Sequence, residues 1–165
     1  MSGIRTLPLS QGKEAIIDAA DYEWLSKFKW CFKVSRGDRG YAVHSIYYCK
    51  VDGKDVNQVV KMHRVIMGSP AGLQIDHING DTLDNRRSNL RVVTNRQNAM
   101  NKRKRVGTTS QYKGVSWSKK YQKWEANIKL DGKKKFLGYF VCEYDAAQSY
   151  RFAAAENYGE YARFA

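Results

Sequence analysis

Cysteines and long apolar runs are scarce in this chain, and each scarcity excludes a class of protein. The 165 residues include three cysteines, Cys31, Cys49 and Cys142, and no two of them form a Cys-x-x-Cys pair. A zinc ribbon or a dithiol redox motif is therefore not expected. No apolar run approaches the ~20 residues that a membrane span needs, and the amino-terminal residues lack the apolar core of a signal peptide. We expect reduced, partly buried thiols in a cytoplasmic protein with no membrane partner.

Acidic residues are also few relative to basic ones. The chain has 16 Asp and Glu against 29 Lys and Arg, for a net charge of +13, while a hydrophobic content of 42% supports folded cores. The basic excess is greatest in residues 61–111, which carry ten basic and three acidic side chains. A folded basic chain most often binds a polyanion, and nucleic acid is the commonest one. The alternative is a basic surface that serves only solubility.

Residues 1–60 are predicted to form a small β-rich unit. Two short apolar runs on either side of residues 10–13 predict a strand, a turn and a second strand. Asp18 follows the second run and has the character of a helix N-cap. A short helix is therefore expected after this residue.

A longer hairpin is predicted to lead into the next segment. Residues 41–48 are rich in β-forming residues, and Asp52-Gly53 is a hairpin turn signal. The partner strand is predicted over residues 56–66, which places His63 in a strand.

The segment 61–104 combines a compact set of polar residues with a simple order of elements. The pattern predicts a strand, a polar loop, a second strand and a helix, over residues 74–78, 79–89, 90–93 and from Asn95 onward. Thr94 and Gln97 have the spacing of a capping box, which sets the start of the helix. Asn98 then lies in its first turn.

The polar residues of this segment match the needs of phosphodiester hydrolysis. His77 can accept a proton from water near neutral pH, and Asp76 offers a hard oxygen to Mg²⁺, to which Asn98 can add an amide oxygen. A bound metal would act as a Lewis acid on the phosphate and the leaving group. Adjacent residues of a strand point to opposite faces, so the strand must bend or end at the Asp-His pair. Asn89 can hold that geometry by hydrogen bonding to the backbone across the loop.

Residues 61–104 resemble the HNH endonucleases with the ββα-metal fold, particularly the phage-type homing enzymes. The resemblance rests on His63-Arg64, the Asp-His-Ile-Asn-Gly block at 76–80, the Asn-Arg-Arg-Ser-Asn-Leu-Arg block at 85–91 and the Asn-rich helix. It implies that Asp76 and Asn98 are metal ligands, that His77 is the general base and that Asn89 holds the loop.

Three assignments within this resemblance have alternatives. Asn98 stands where the wider family commonly has His, so Mg²⁺ or Mn²⁺ is expected rather than Zn²⁺. Asn95 and Asn101 lie three residues to either side on a similar helical face, and either could be the ligand instead. His63 would either contact the scissile phosphate, as a catalytic residue, or serve only a structural role.

The remaining residues are predicted to form a basic linker, 105–111, and a second folded unit, 112–165. In that unit residues 123–130 alternate strictly in polarity, Asp131-Gly132 turns the chain, and residues 133–141 form the next strand. Residues 143–157 have an Ala-rich helical face that can cover the sheet.

This unit resembles the AP2 DNA-binding domain of plant transcription factors, which also occurs in phage HNH proteins. The resemblance rests on Tyr-Lys-Gly-Val at 112–115, Trp-x-Ala-x-Ile at 124–128 and Leu-Gly-Tyr-Phe at 137–140. It implies that the open face of a three-stranded sheet enters the major groove. Several matching positions are Lys or Ser where the plant domains have Arg, so the plant target sequence does not transfer. The alternative is a polar sheet that faces solvent.

The expected DNA contacts are basic or polar side chains of the core, the linker and this sheet. They are Arg64, Lys102, Arg103, Lys104, Arg105, Lys113, Ser116, Ser118, Asn127, Lys129, Lys134 and Phe136.

The sequence therefore predicts an α+β protein with a β-rich segment at 1–60, a nuclease core at 61–104, a basic linker at 105–111 and an AP2-like unit at 112–165. The predicted activity is metal-dependent hydrolysis of double-stranded DNA at a loosely read site. One active site per chain would nick one strand, with no obligate protein partner. The alternative is a sequence-specific DNA-binding regulator whose HNH-like region is not catalytic.

Overall fold

The computed structural model describes residues 3–36, 39–68, 70–102, 104 and 107–164. The chain divides into two compact units, Met1–Asn95 and Arg96–Ala165. Small antiparallel sheets and a few helices make up both units, which confirms the predicted α+β class. The four-part division expected from the sequence is finer than these two units and stays a prediction.

The first unit begins with the predicted strand, turn and strand. Strand β1 (Ile4–Pro8) pairs antiparallel with β2 (Glu14–Asp18), and helix α1 (Ala19–Leu25) follows. Asp18 stands at the start of α1, but within the described residues its side chain makes no cap hydrogen bond. Its Oδ2 instead accepts a hydrogen bond from the Arg87 backbone N–H at 2.8 Å. The capping prediction was therefore wrong, because a contact 69 residues away takes the carboxylate.

A three-stranded sheet comes next, with β4 in the middle. Strands β3 (Cys31–Arg36), β4 (Arg39–Val51) and β5 (Lys54–Lys61) lie in the order β3-β4-β5. Asp52 and Gly53 both have positive φ at the β4–β5 turn, so the hairpin signal was correct.

The predicted extension of β5 to residue 66 was wrong. Residues Met62–Ile66 form a short helix, α2. Met62, His63 and Ile66 are all buried, and one helical turn can direct the three side chains to the same core. A strand would send Met62 and His63 to opposite faces, so burial of both favours the helix over local β propensity.

The next hairpin packs against the hydrophobic core formed by the amino-terminal strands. Strands β6 (Gln74–His77) and β7 (Leu90–Val93) pair antiparallel, with Asp76 opposite Arg91. Ile75 and Leu90 belong to the same buried cluster as residues of β1, β2 and α1. The first strands thus form the support on which the Asp-His pair is held.

The second unit begins within helix α3 (Asn95–Met100), which starts at the predicted residue. Strands β8 (Val115–Ser118), β9 (Lys123–Leu130) and β10 (Lys133–Phe140) form an antiparallel sheet in the order β10-β9-β8. Helix α4 (Glu143–Tyr158) covers one face of this sheet. The strands and helix expected here are therefore present, with small differences at their ends.

One glycine of this unit has no tolerance for a side chain. Gly114 has φ of 78°, and a Cβ built on it would lie 2.0 Å from Cδ2 of Tyr150 on α4. The Gly of the Tyr-Lys-Gly-Val sequence thus allows the chain to pass closely over an aromatic ring.

The burial of the three cysteines agrees only partly with expectation. Cys31 is half-buried, whereas Cys49 and Cys142 are exposed, so the expectation of partly buried thiols was wrong for two of the three. Among the described residues, none of the helices combines the length and hydropathy that a membrane-crossing helix requires.

Candidate active site

Asp76 and His77 are the last two residues of β6, and both side chains are buried. The chain turns directly after them, with the Gly80 N–H donating to the His77 carbonyl at 2.9 Å and Gly80 at φ of 73°. The strand therefore ends at the Asp-His pair, as predicted, and neither side chain faces solvent.

Arg91 is the immediate partner of Asp76. It lies opposite Asp76 on β7 and donates from Nε at 3.1 Å and from Nη2 at 3.0 Å, both to Oδ2. Side-chain exposure is 13% for the arginine and 9% for the aspartate, so the pair is largely desolvated. Our reading of the sequence missed this contact. A cross-strand register built from the predicted hairpin would have found it.

Asn89 closes the loop between the two strands. Its Oδ1 accepts from the Asn79 N–H at 3.0 Å, and its Nδ2 donates to the Asp84 carbonyl at 2.8 Å. Its own carbonyl accepts from the Ile78 N–H at 2.9 Å. The buried side-chain amide of Asn89 thus links two points of the loop backbone, and its main-chain carbonyl links a third, which is the kind of contact expected of this residue.

Asp84 is a second buried carboxylate in the loop. It is 2% exposed and accepts from Arg86 Nε at 2.8 Å and Nη2 at 2.6 Å, and from Asn79 Nδ2 at 3.0 Å. These hydrogen bonds, chiefly those from Arg86, lower the pKa of the Asp84 carboxyl. The carboxylate therefore stays ionised and rigidifies the loop.

The loop is also fastened to the first helix. Arg87 donates from Nε and Nη2 to the two oxygens of Asp21 at 2.9 and 2.8 Å, and from Nη1 to the Ile66 carbonyl at 3.1 Å. The sequence gave no indication of these contacts, because Asp21 lies 66 positions earlier in the chain.

The His77 imidazole is buried, and the carboxylates of Asp76, Asp81 and Asp84 act on it electrostatically. Its Nε2 is 3.5 Å from Oδ1 of Asn85, and its ring packs edge-on against His63 with centroids 4.9 Å apart. Burial lowers the pKa of His77, and the contact with Asn85 partly opposes that shift. The ring is therefore neutral near pH 7, which is the form that accepts a proton.

His63 is the buried neighbour of His77. It lies on helix α2 rather than in a strand, between the rings of Tyr41 (5.3 Å) and His77 (4.9 Å). Burial, followed by the neighbouring His77, lowers the pKa of His63 to about 3. Among the described residues, nothing forms a hydrogen bond with its Nδ1. A neutral ring without positive charge favours the structural alternative over direct phosphate binding.

Comparison with known proteins bears on this region and on the whole chain. A family model described as HNH endonuclease matches residues 60–100. Protein 3.8 of Escherichia phage T7 is 35% identical over 96 residues, which cover 58% of this chain and 78% of that protein. A protein of Acanthamoeba polyphaga mimivirus named as an uncharacterized HNH endonuclease is 30% identical over 158 residues, covering 92% of this chain and 74% of its own length.

The chain belongs to the HNH endonuclease family. Membership identifies a nuclease domain, for which DNA is the implied substrate and a divalent metal the general cofactor. No solved structure matches the chain.

The asparagines of this HNH protein's helix differ in their surroundings. Asn95 is exposed, Asn98 is half-buried and Asn101 is buried. Asn98 and Asn101 belong to the second unit, whereas Asp76 and His77 belong to the first. The assignment of Asn98 as a metal ligand stays a prediction. Within the described ranges, no group of three or more His, Cys, Asp or Glu side chains is arranged to hold a metal.

One expected DNA contact of the HNH protein has a partner inside its own unit. Lys113 Nζ donates to the Met100 carbonyl at 2.6 Å, at the carboxyl end of α3. Burial lowers the pKa of Lys113 to about 8. This ammonium satisfies a carbonyl at the helix end, which is a stabilising role.

The open sheet face of the second unit carries a mixed set of side chains. Lys134 Nζ and Asn127 Nδ2 both donate to Oε1 of Glu125, at 2.9 and 2.6 Å. Phe136 is 51% exposed, and its ring lies against that of Tyr139 at a tilt, with centroids 4.8 Å apart. Glu125 was not singled out in the sequence, although it lies on the predicted polar side of β9.

The remaining expected contacts lie at varied positions. Lys129, Ser116 and Lys102 are exposed, and Arg64, Lys104 and Ser118 are half-buried. Lys104 donates to Thr108 Oγ1. Arg103 and Arg105 lie outside the described residues.

Proposed function

We propose that this chain is a metal-dependent DNA endonuclease of the homing type, which hydrolyses phosphodiester bonds at a loosely read site. One observation carries the proposal. Asp76 and His77 lie side by side at the end of β6, with a neutral His77 and a loop closed by Asn89. A hydrolase needs a base that is unprotonated at working pH and held in place.

His77 is the proposed general base. Its neutral imidazole accepts a proton from the water that attacks phosphorus. Asn89 acts through the backbone, because its hydrogen bonds fix the turn that follows His77. His63 packs against the His77 ring and limits its movement, so we assign it a positioning role.

The residues present fit a hard divalent cation such as Mg²⁺ or Mn²⁺. Arg91 Nε and Nη2 both donate to Oδ2 of Asp76, and a carboxylate has about four lone-pair sites in total. These two hydrogen bonds take up about half of that capacity, and a carboxylate oxygen is the kind of hard donor that Mg²⁺ prefers. Mg²⁺ keeps several waters and commonly takes one or two protein oxygens, so a set as small as Asp76 and Asn98 is sufficient. When bound, the ion supplies Lewis acidity at the phosphate and the leaving oxygen.

The second ligand is Asn98, by the family resemblance, with Asn95 and Asn101 as the alternatives. Alanine substitutions at the three positions separate them. Substitution of the true ligand should raise the Mg²⁺ concentration needed for half-maximal nicking. The other two substitutions should leave that concentration unchanged.

The basic and polar surfaces are proposed to hold double-stranded DNA. The exposed sheet face of the second unit is AP2-like in sequence, and its contacts would be made by Lys129, Lys134, Asn127 and Phe136. Arg64 and the basic residues 102–105 would contact phosphates. The chain has a single Asp-His pair, so a monomer nicks one strand.

The test is cleavage of supercoiled plasmid with and without Mg²⁺. We expect relaxed circles that disappear with EDTA and with His77→Ala. His44→Ala is the matched control, because His44 bonds to the Lys29 carbonyl and its imidazole is not part of the proposed site. Plasmid that is retarded but stays uncut with every divalent cation would contradict the nuclease proposal and favour the alternative, a DNA-binding regulator.

A further inference from the structure

One lysine near the proposed base holds its ammonium over an aromatic ring. Lys61 is the last residue of β5, and its Nζ lies 4.4 Å from the ring centroid of Tyr41. Lys61 is exposed, whereas Tyr41 is half-buried. An ammonium is attracted to the face of an aromatic ring, because that face carries partial negative charge. The tyrosine therefore favours one position for a long side chain that otherwise samples many.

The register of the sheet explains why these two side chains meet. Lys61 lies opposite Val43 of β4, and Tyr41 is two residues away from Val43 on the same strand. Residues two apart on a strand share a face, and a long side chain reaches the diagonal neighbour on the adjacent strand. Helix α2 begins directly after Lys61, so the buried His63 follows the ammonium-bearing residue by only two positions.

The same tyrosine ring contacts both buried imidazoles of the site. Its centroid lies 5.3 Å from that of His63 and 6.3 Å from that of His77. Burial, then His77 and then Lys61 lower the pKa of His63 to about 3, so the lysine charge acts within this cluster. The Lys61 ammonium is thus separated from the proposed base by a single aromatic ring.

The neighbouring cations differ from Lys61 because carboxylates already hold them. Three arginines of the loop and of β7 each form an ion pair: Arg86 with Asp84, Arg87 with Asp21 and Arg91 with Asp76. Within the described ranges, no ion pair joins Lys61 to a carboxylate. A positioned ammonium of this kind is suited to an anion that arrives from solution.

We propose that Lys61 binds a non-bridging oxygen of the phosphate at which the strand is cut, and that Tyr41 is the positioning residue for its ammonium. This contact supplies the positive charge that the neutral His63 ring does not carry. The negative charge on the phosphate grows as water attacks, and a donor that is already in place stabilises it most. The inference rests on the proposed function, because it assigns a substrate contact beside the His77 base.

The distances around Tyr41 suit a phosphate that lies between the ammonium and the base. A base contacts water at roughly 3 Å, water approaches phosphorus at roughly 3–3.5 Å, and a cation contacts a phosphate oxygen at roughly 2.8 Å. The 4.4 Å from the ammonium to the Tyr41 ring and the 6.3 Å from that ring to His77 are together of similar length. One phosphate and one water can therefore bridge Lys61 and His77.

The geometry is tested first without DNA cleavage. An aromatic ring shields protons that lie over its face, so the ε-CH₂ protons of Lys61 should resonate upfield of those of other lysines in ¹H–¹³C spectra of the full-length chain. Lys61→Met identifies the signal. Tyr41→Phe should keep the upfield shift, because phenylalanine retains a ring, and Tyr41→Leu should abolish it. An unshifted Lys61 signal, or a shift that survives Tyr41→Leu, overturns the positioning role.

Nicking of supercoiled plasmid in Mg²⁺ then tests the phosphate contact. We expect Lys61→Met to lower kcat by about 100-fold, the lower end of the range for loss of a preorganised donor to a developing oxyanion. The dissociation constant for plasmid should change little, since many phosphates share the binding. Lys61→Arg should keep most of kcat because it keeps the cation. Lys54→Met is the matched control and should nick at the wild-type rate, since Lys54 is an exposed lysine at the other end of β5.

The outcomes separate the inference from the proposed function. Tyr41→Leu should lower kcat less than Lys61→Met does, and the double variant should be no slower than Lys61→Met alone. Equal kcat for Lys61→Met and Lys54→Met, or additive losses in the double variant, contradicts the inference and leaves the nuclease intact. If His77→Ala nicks at the wild-type rate, the proposed base is wrong, while the kcat of Lys61→Met still reports the phosphate contact. If the wild-type chain leaves plasmid uncut, both fail.

Discussion

Removal of Arg91 should expose how strongly the site depends on charge pairing at Asp76. In Arg91→Leu the buried Asp76 carboxylate loses its cationic partner, while the packing of the hairpin is largely kept. Breaking a buried pair from one side typically costs ~3–5 kcal/mol. Because the arginine and aspartate side chains are 13% and 9% exposed, we expect about 3 kcal/mol here, at the lower end of that range.

The assay is urea unfolding in the absence of Mg²⁺. Pulsed hydrogen exchange of peptides from residues 1–95 reports the first unit by itself. With a urea dependence of about 1.5 kcal/mol/M for a unit of this size, the midpoint should fall by about 2 M. Lys50→Leu is the control, because its ion pair with Asp55 is 3.9 Å long and well exposed, and such pairs contribute little.

Mg²⁺ provides a second, sharper readout of the same pair. A cation bound at Asp76 replaces part of the missing positive charge, so saturating Mg²⁺ should stabilise Arg91→Leu more than the wild type. The double variant Arg91→Leu with Asp76→Asn should be less destabilised than the sum of the single changes. Near-wild-type stability of Arg91→Leu, together with additive effects in the double variant, would refute a buried pair at this position.

Three further predictions concern glycine, pH and the basic face. Gly114→Ala should lower the free energy of unfolding of the second unit by about 3 kcal/mol, through positive φ and overlap with the Tyr150 ring, as measured by urea unfolding. The pKa of His63 is lowered to about 3 from 6.5, so the unfolded chain binds more protons and stability should fall as pH falls from about 6.5 towards 3. His63→Phe should flatten that dependence in unfolding measurements across this range, and an unchanged slope would contradict it. Lys129→Ala should weaken DNA binding and reduce the salt slope by about one, whereas Lys113→Ala should lower stability more than affinity, because its ammonium binds the Met100 carbonyl; equal loss of affinity in both would oppose this distinction.

Several elements could be read from the sequence because their causes are local. The alternation of β9 is set by the two-residue repeat of a strand, and the Asp-Gly pairs form turns because both residues tolerate positive φ. The start of α3 at Asn95 was predicted from the capping-box spacing of Thr94 and Gln97. The nuclease family was also indicated by short motifs taken together, namely His63-Arg64, the blocks at 76–80 and 85–91 and the Asn-rich helix.

Other features depended on contacts between distant residues. Helix α2 replaced a predicted strand because the core required Met62, His63 and Ile66 on one side. Asp18 bonds to Arg87 rather than capping a helix, and the half-buried Lys113 bonds to the carbonyl of Met100 at the end of α3.

The sequence by itself determined which residues could carry the chemistry, since an imidazole, a carboxylate and amide oxygens are properties of side-chain type. Only the tertiary structure decided how each one is held. The partner of Asp76 comes from the opposite strand, and the backbone of Asn85, whose side chain contacts His77, is bonded to Ile16 of β2, nearly 70 residues earlier in the chain. Local propensities act over a few residues, whereas burial removes water as a competing partner and makes these long-range hydrogen bonds obligatory.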